Sequence, residues 1–148
     1  GFKGGWLSVI LNLLGSKVSG FALDPQGKNN FFNSTKIKKI FKHDFRHDIS
    51  DINYLKKSIK KIKPEIIFHL AAQSSVIESF NNSRNTVMTN TIGTANILEA
   101  AKTFGIKYVL AVKNPDSKQP HREIEGYPAI SDYRTLIDDI TNHPFDNA

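Results

Sequence analysis

Residues 65–72 read Glu65-Ile66-Ile67-Phe68-His69-Leu70-Ala71-Ala72, an almost unbroken apolar run. A strand with one face in water alternates apolar and polar side chains, whereas a continuous apolar run indicates burial on both faces. Pro64 stands immediately before the run and ends any helix that precedes it. This stretch therefore predicts an interior strand of a parallel sheet.

Helix and strand patterns alternate along the chain on both sides of this strand. Helices are predicted over Gly5–Leu14, over a lysine-rich segment that Ser50 caps and Pro64 ends, and over Arg84–Thr103. Strands are predicted over Lys17–Asp24, Lys39–Phe45 and Tyr108–Val112, with a loop over Asn29–Thr35. The alternation predicts an α/β fold, a Rossmann-type doubly wound parallel sheet with helices on both faces.

The front of the chain is rich in glycine and runs directly into the first helix. It reads Gly1-Phe2-Lys3-Gly4-Gly5-Trp6-Leu7. Glycine lets backbone approach an anion without an intervening Cβ, and the free N–H groups at a helix start attract phosphate. We interpret this segment as the last part of a pyrophosphate-binding loop. The loop's first glycine and the first strand are expected upstream of Gly1, so we expect an incomplete sheet and a chain that is a fragment.

Composition limits the remaining possibilities. A chain of 148 residues has the length of one ordinary domain with its own core. Cysteine is absent, which excludes disulfides and thiolate metal sites, and no metal site is predicted. No apolar run reaches the roughly 18 residues of a membrane span, and the N-terminus has no signal pattern. We predict a cytoplasmic protein without a membrane partner.

The net charge of +6 is concentrated in one part of the chain. The basic residues of that part are Lys36, Lys38, Lys39, Lys42, Arg46, Lys56, Lys57, Lys60, Lys61 and Lys63. Between Ile52 and Ile62 the lysines alternate with apolar residues at helical spacing, which is typical of the solvated face of an amphipathic helix. A surface for nucleic acid or another polyanion is the open alternative. No nucleic-acid partner is predicted.

Several segments in order resemble the extended short-chain dehydrogenase/reductases, and within them the bacterial CDP-glucose 4,6-dehydratases. The segments are Gly1–Ser8, Ala22–Pro25, Asp48–Asp51, Pro64–Gln73 and the Thr-Asn-x-x-Gly-Thr pattern at Thr89–Thr94. Their compatible spacing across residues 1 to about 112 carries more weight than a lone glycine motif.

The resemblance implies NAD as cofactor and assigns residues to it. Gly1, Phe2, Lys3 and Gly4 are similar to the pyrophosphate loop, and Asp24 to the acid that binds the adenosine ribose and disfavours NADP. Asp48 and Ile49 are similar to the pair beside adenine, and Leu70, Ala71, Ala72 and Gln73 to the strand end under the cofactor. Asp24 as a turn acid with Pro25, and Asp48 as the start of a capped helix, stay open. His69 is predicted to be a core histidine, and Asn90 to bond backbone.

The family chemistry implied by the resemblance uses a nucleotide-sugar substrate. Hydride leaves C4 of the hexose, water is lost across C5 and C6, and the hydride returns to C6. This chemistry needs a tyrosine with a lysine four residues on, whereas Tyr54, Tyr108, Tyr127 and Tyr133 are followed at that spacing by Ser58, Val112, Ser131 and Ile137. No catalytic residue is therefore assigned.

The sequence divides into residues 1–112, a truncated NAD-binding domain, and 113–148, an unrecognised irregular tail with a short helix predicted over Tyr133–Ile140. The first part holds 16 Lys and Arg against 7 Asp and Glu, and the tail 4 against 7. We expect the NAD-binding portion of a nucleotide-sugar 4,6-dehydratase, inactive by itself, with a homodimer through the Arg84–Thr103 helix. The alternatives are an epimerase or reductase of the same family, and a non-catalytic nucleotide-binding module.

Overall fold

The computed structural model describes residues 1–27 and 30–112, so the predictions for residues 113–148 lie outside the described residues. Four strands alternate with helices in this part of the chain. The strands are β1 (Ser19–Ala22), β2 (His43–Arg46), β3 (Ile66–His69) and β4 (Tyr108–Ala111). The α-helices are α1 (Phe2–Leu13), α2 (Phe31–Ser34), α3 (Ile52–Ile62), α4 (Val76–Asn81), α5 (Ser83–Val87) and α6 (Gly93–Phe104). A 3₁₀ turn covers Ile37–Ile40 and a π-helical turn covers Met88–Ile92.

The strands pair in parallel, as the alternating pattern predicts, but in two separate pairs. β1 pairs with β2 from Ser19↔His43 to Ala22↔Arg46, and β3 pairs with β4 from Ile66↔Tyr108 to His69↔Ala111. In the doubly wound strand order, the strand that precedes α1 lies between these two pairs. Among the described residues, the two pairs are not hydrogen-bonded to each other.

The hydrophobic core forms where α3 and α6 pack together. Its buried residues are Leu55, Ile59, Ile97, Ala100, Ala101 and Ile106, and Phe21, Ile67 and Val109 of the strands pack against them. The two fully buried alanines of α6 carry no bulk beyond Cβ, which lets the helices approach closely. Full burial of Leu55 contributes roughly 1.5–3 kcal/mol, and its side chain is 2% exposed. Helices from both halves of the described fold thus share one core.

The helix ends correct one prediction and confirm others. Asp51 caps α3, because its Oδ1 accepts hydrogen bonds from the N–H groups of Asn53 and Tyr54, each at 3.0 Å. Ser50, the predicted cap, instead donates its N–H to Asp48 Oδ1 at 2.8 Å. Gly15 follows α1 with a positive φ of 88°, a conformation that favours glycine at a helix end, and it directly follows the predicted last helical residue, Leu14.

Other predicted boundaries were wrong where tertiary contacts override composition. The segment Asn30–Thr35, predicted as loop, contains α2, because Asn30 accepts from the Asn33 N–H and Phe31 packs on the rings of Phe2 and Trp6. The strand predicted from Lys39 begins only at His43, since Ile37–Ile40 forms the 3₁₀ turn.

Two helical predictions also need correction. The helix predicted over Arg84–Thr103 is divided into α5, the π-helical turn and α6, and α4 was not predicted. Helix α1 begins at Phe2, so the residues predicted as loop lie in its first turn, with Gly1 as the N-cap.

Candidate functional site

The start of α1 presents free backbone donors beside the end of β3. The first N–H groups of a helix have no intrahelical acceptor, which leaves them available to an anion. A Cβ on Gly4 would lie 4.0 Å from Leu70 Cδ1, and space around Gly1 is open. A Cβ on Gly5 would overlap the ring of Phe31, so this glycine is required by packing. Of the predicted residues, Gly4 and Leu70 therefore lie close together.

The segment after β2 is held by α6. Asn96 donates its side-chain N–H groups to the carbonyls of Ile49 and Ser50, both at 2.9 Å, and a Cβ on Gly93 would overlap the Ile49 side chain. Ile49 is buried, so its side chain packs in the interior. Asp48 uses one carboxylate oxygen for the Ser50 N–H, and a carboxylate keeps further acceptor positions.

The segment after β3 is held by the π-helical turn. Asn90 Oδ1 accepts from the Gln73 N–H at 2.8 Å, and Asn90 Nδ2 donates to the Gln73 carbonyl at 3.0 Å. The predicted bonding of Asn90 to backbone is therefore observed. Ala71 and Gln73 are half-buried and Ala72 is exposed. π-helical turns are frequent at functional sites, and this one fixes the backbone at the end of β3.

A series of hydrogen bonds extends from Asn90 through Thr94 to His69 of β3. Thr94 Oγ1 donates its single hydrogen to the Asn90 carbonyl at 2.7 Å, so it accepts from His69 Nε2 at 2.8 Å. Neutral His69 consequently carries its proton on Nε2. His69 is buried, as predicted, and burial lowers its pKa.

Asp24 is exposed and lies two residues after the end of β1. The carbonyl of its neighbour Leu23 accepts a hydrogen bond from Arg46 Nη1 at 3.0 Å. The segment after β2 is tied to α6, the segment after β3 is tied to the π-helical turn, and Gly4 of α1 lies near Leu70. The segment that carries Asp24 is tied instead to Arg46 of β2 and to Asn30, the cap of α2. Gly93 entered the sequence analysis only as part of the Thr89–Thr94 pattern, and the positioning roles of Asn96 and Arg46 were not predicted.

Charges near the site are arranged for structure. The pKa of Asp51, the α3 cap, is lowered mainly by the hydrogen bond from the Tyr54 N–H and next by the hydrogen bond with His47. Within residues 1–27 and 30–112 no group of three or more His, Asp or Glu side chains is placed to hold a metal ion.

Two surface concavities lie away from the predicted residues. One of about 340 Å³ is lined by Phe32, Asn33, Lys36, Lys38 and Lys39. The other, of about 500 Å³, lies between the C-terminal ends of α3 and α6. None of the predicted cofactor residues lines either concavity. In the described part of the chain, every helix falls short of the length and apolarity that a membrane span requires.

The fold defines the class of protein first. It is similar to a UDP-glucose 4-epimerase from Thermus thermophilus solved in complex with NAD, with a TM-score of 0.63 and 24% identity over 87% of this chain and 41% of that one. This likeness confirms the predicted Rossmann-type α/β fold. The family model described as GDP-mannose 4,6 dehydratase matches residues 1–113. The chain therefore belongs to this nucleotide-sugar dehydratase family, which confirms the resemblance predicted from its segments.

Individual relatives agree with the family. CDP-glucose 4,6-dehydratase of Salmonella typhimurium is 36% identical over 128 residues, 86% of this chain and 35% of that protein. The chain spans about a third of the length of the curated dehydratases that it matches. A shorter similarity covers 41 residues, 28% of this chain, at 49% identity to 18% of GMP/IMP nucleotidase YrfG of Escherichia coli (strain K12). That second similarity is too short to show a family.

Proposed function

We propose that this chain binds NAD as the cofactor portion of a nucleotide-sugar 4,6-dehydratase of the CDP-glucose type. The observation that carries the proposal is the set of contacts that joins the ends of β2 and β3 to one helical segment, beside the free N–H groups of α1. Peptide N–H groups suit a pyrophosphate, carboxylates suit ribose hydroxyls, and the open space at Gly1 leaves room for the phosphates.

The roles follow from the chemistry of each group. Gly1–Gly4 would donate N–H groups to the pyrophosphate, Asp24 would accept from the adenosine ribose, and the Asp48 carboxylate with the Ile49 N–H would flank adenine. Leu70–Gln73 would line the space under the ribose and phosphates. When bound, the cofactor supplies hydride transfer. The chain's own residues bind and orient it.

Cofactor binding is tested by isothermal titration of NAD into the chain and into two variants. Asp24→Ala is expected to weaken binding at least about tenfold, because a hydrogen bond to a charged group is lost. Lys63→Gln, which alters an exposed charge next to the second concavity, is the matched control and should bind as the original chain does. Equal affinities for all three proteins, or no binding by any of them, would refute the assignment.

Turnover is tested separately, because the proposal also states that the chain by itself is catalytically inactive. The chain lacks a tyrosine with a lysine four residues on, so we expect no 4-keto-6-deoxy sugar from CDP-glucose in the presence of NAD. Measurable product would show that catalysis uses other residues. NAD affinity without turnover in the full-length protein would favour the alternative of a non-catalytic nucleotide-binding module.

Self-association is part of the same proposal. Val76, Ile77 and Phe80 of α4 are 69%, 75% and 83% exposed, and Val87 and Ile92 farther along are also exposed. Contiguous exposed apolar side chains mark interaction surfaces. The predicted homodimer uses the Arg84–Thr103 helix, and we expect the exposed apolar side chains of α4 to extend its interface. Sedimentation equilibrium of the chain and of a Phe80→Asp variant tests this extension. The variant should be monomeric at concentrations where the original chain associates.

A further inference from the structure

Arg46, the last residue of β2, makes several contacts at once. Its Nε lies 3.1 Å from Asp44 Oδ2 and its Nη2 lies 2.6 Å from Asp44 Oδ1, which is a bidentate ion pair. The side chains of Arg46 and Asp44 are only 22% and 11% exposed. A planar, fixed guanidinium of this kind holds its partners in a defined geometry.

The same guanidinium contacts both sides of the segment that carries Asp24. Its Nη1 donates to the Leu23 carbonyl at 3.0 Å, immediately before Asp24. Its central carbon lies 4.2 Å from the ring centroid of Phe32 in α2, the helix that follows the segment. Arg46 therefore connects the end of β1 to α2 across the position of Asp24.

The far end of the segment is also held. Asn30 Nδ2 donates to the Gly27 carbonyl at 2.7 Å and to the Gln26 carbonyl at 3.3 Å, while Asn30 caps α2. α2 in turn packs through Phe31 on α1. Asp24 itself stays exposed, so its orientation depends on the backbone that these contacts fix.

The ion pair also affects charge near the ribose position. A 2′-phosphate is accommodated by an arginine near the end of this strand, whereas an acid there repels it. Asp44 engages Arg46 through both carboxylate oxygens, which offsets the positive charge next to the segment. Asp24 is exposed at this strand end.

We propose that Arg46 is a positioning residue that orients Asp24 and thereby sets the preference for NAD over its 2′-phosphorylated form. This inference rests on the proposed function. It assigns the discrimination to the geometry of the Arg46 side chain rather than to its charge alone.

The first experiment measures the affinities for NAD and NADP of the chain, Arg46→Lys, Arg46→Gln and the control Lys42→Gln. Lysine keeps the charge but cannot hold Asp44 as a fork while it reaches Leu23 and covers Phe32. Both Arg46 variants should lose about tenfold in NAD affinity and several-fold in the NAD-to-NADP ratio. The control removes one exposed positive charge next to β2 and should keep both values. An unchanged ratio in both variants, or full rescue by lysine, would overturn the proposal.

The second experiment needs no cofactor, so it separates this inference from the proposed function. Backbone ¹⁵N order parameters of Asp24, Gln26 and Gly27 should be about 0.85 in the chain and fall below about 0.6 in both Arg46 variants. Phe32→Leu keeps the ion pair and removes the stacked ring, so its order parameters should lie between those of the chain and those expected of the Arg46 variants. This variant replaces the Arg46 variants in the test if they fail to fold. Unchanged order parameters in the Arg46 variants would refute the positioning role of Arg46, even if the chain binds NAD. If the Arg46 variants lose this order while the original chain binds neither NAD nor NADP, the result would support the positioning role of Arg46 and refute the cofactor proposal.

Discussion

At the scale of single residues, several polar side chains of this fold serve backbone groups rather than a reaction. Asp51 caps α3, Asn96 holds the carbonyls of Ile49 and Ser50, and Asn90 holds both backbone groups of Gln73. The side chains that contact the candidate site thus position backbone. Backbone N–H groups are the donors that a pyrophosphate needs.

The buried His69 gives a pH dependence whose sign follows from its pKa. Burial lowers the pKa of His69 in the folded chain, whereas the unfolded chain keeps a value of about 6.5. Stability from this residue is therefore full above about pH 6.5 and falls as the pH drops below it, because the unfolded state then binds the extra proton. Urea unfolding at pH 7.5 and 5.5 should show a larger loss for the original chain than for His69→Gln. Equal losses would show that the pKa of His69 is the same in the folded and unfolded chain and is not lowered by burial.

Residue types predicted some of these roles and missed others. The apolar surroundings of His69 in the sequence predicted a core histidine, and it is 8% exposed. Ser50 and Asp51 are both good caps, and only the turn made by Asp48 decides between them. Arg46 was grouped with solvated lysines, because nothing in the sequence says that Leu23 and Phe32 lie beside it.

At the scale of elements, the helix that follows α4 and α5 combines packing and site geometry. Gly93 opens α6 at the point where Ile49 approaches, and the π-helical turn before it carries Asn90. A sequence pattern of period 3.6 predicts one continuous α-helix here, because apolar spacing does not reveal the extra residue of a π-helical turn. Element type was therefore predictable at this position and the interruption was not.

Gly93→Ala tests the close approach of α6 to the segment after β2. Alanine gains up to about 1 kcal/mol of helix propensity over glycine. Overlap with the buried Ile49 side chain outweighs this gain, since overpacking costs typically about 1–3 kcal/mol. Chemical denaturation should show net destabilisation, and the Gly93→Ala, Ile49→Ala pair should be less destabilised than the sum of its single variants. Strict additivity would mean that the two residues do not meet.

At the scale of the whole molecule, two parallel strand pairs share one core through α3 and α6. The parallel α/β class was predictable because β3 is apolar on both faces and alternates with helical segments. The division into two strand pairs could not be predicted from the sequence. In the expected sheet, β1 and β3 would both pair with the strand expected upstream of Gly1. The gap between pairs is the main departure from a continuous sheet.

Fusion of an upstream strand tests this interpretation of the gap. The segment that precedes the corresponding glycine in the Salmonella typhimurium dehydratase, joined before Gly1, is expected to raise the unfolding midpoint and the NAD affinity together. A strand in that place gains hydrogen bonds on both edges and anchors the start of α1. The control is the same fusion with proline at the centre of the added strand, which removes a ladder donor. Equal stability of the two fusions would contradict the proposed strand order.

The central claim is that an NAD-binding edge is formed by Gly1–Gly4, Asp24, Asp48, Ile49 and Leu70–Gln73. The most direct measurement is a map of backbone amide chemical shifts as NAD is titrated into the ¹⁵N-labelled chain. We expect the largest changes at the amides of Phe2–Gly4, Asp24, Ile49 and Ala71–Gln73, with small changes along α3. Changes confined to the lysine-lined concavity at Lys36–Lys39, or no changes at saturating NAD, would contradict the account.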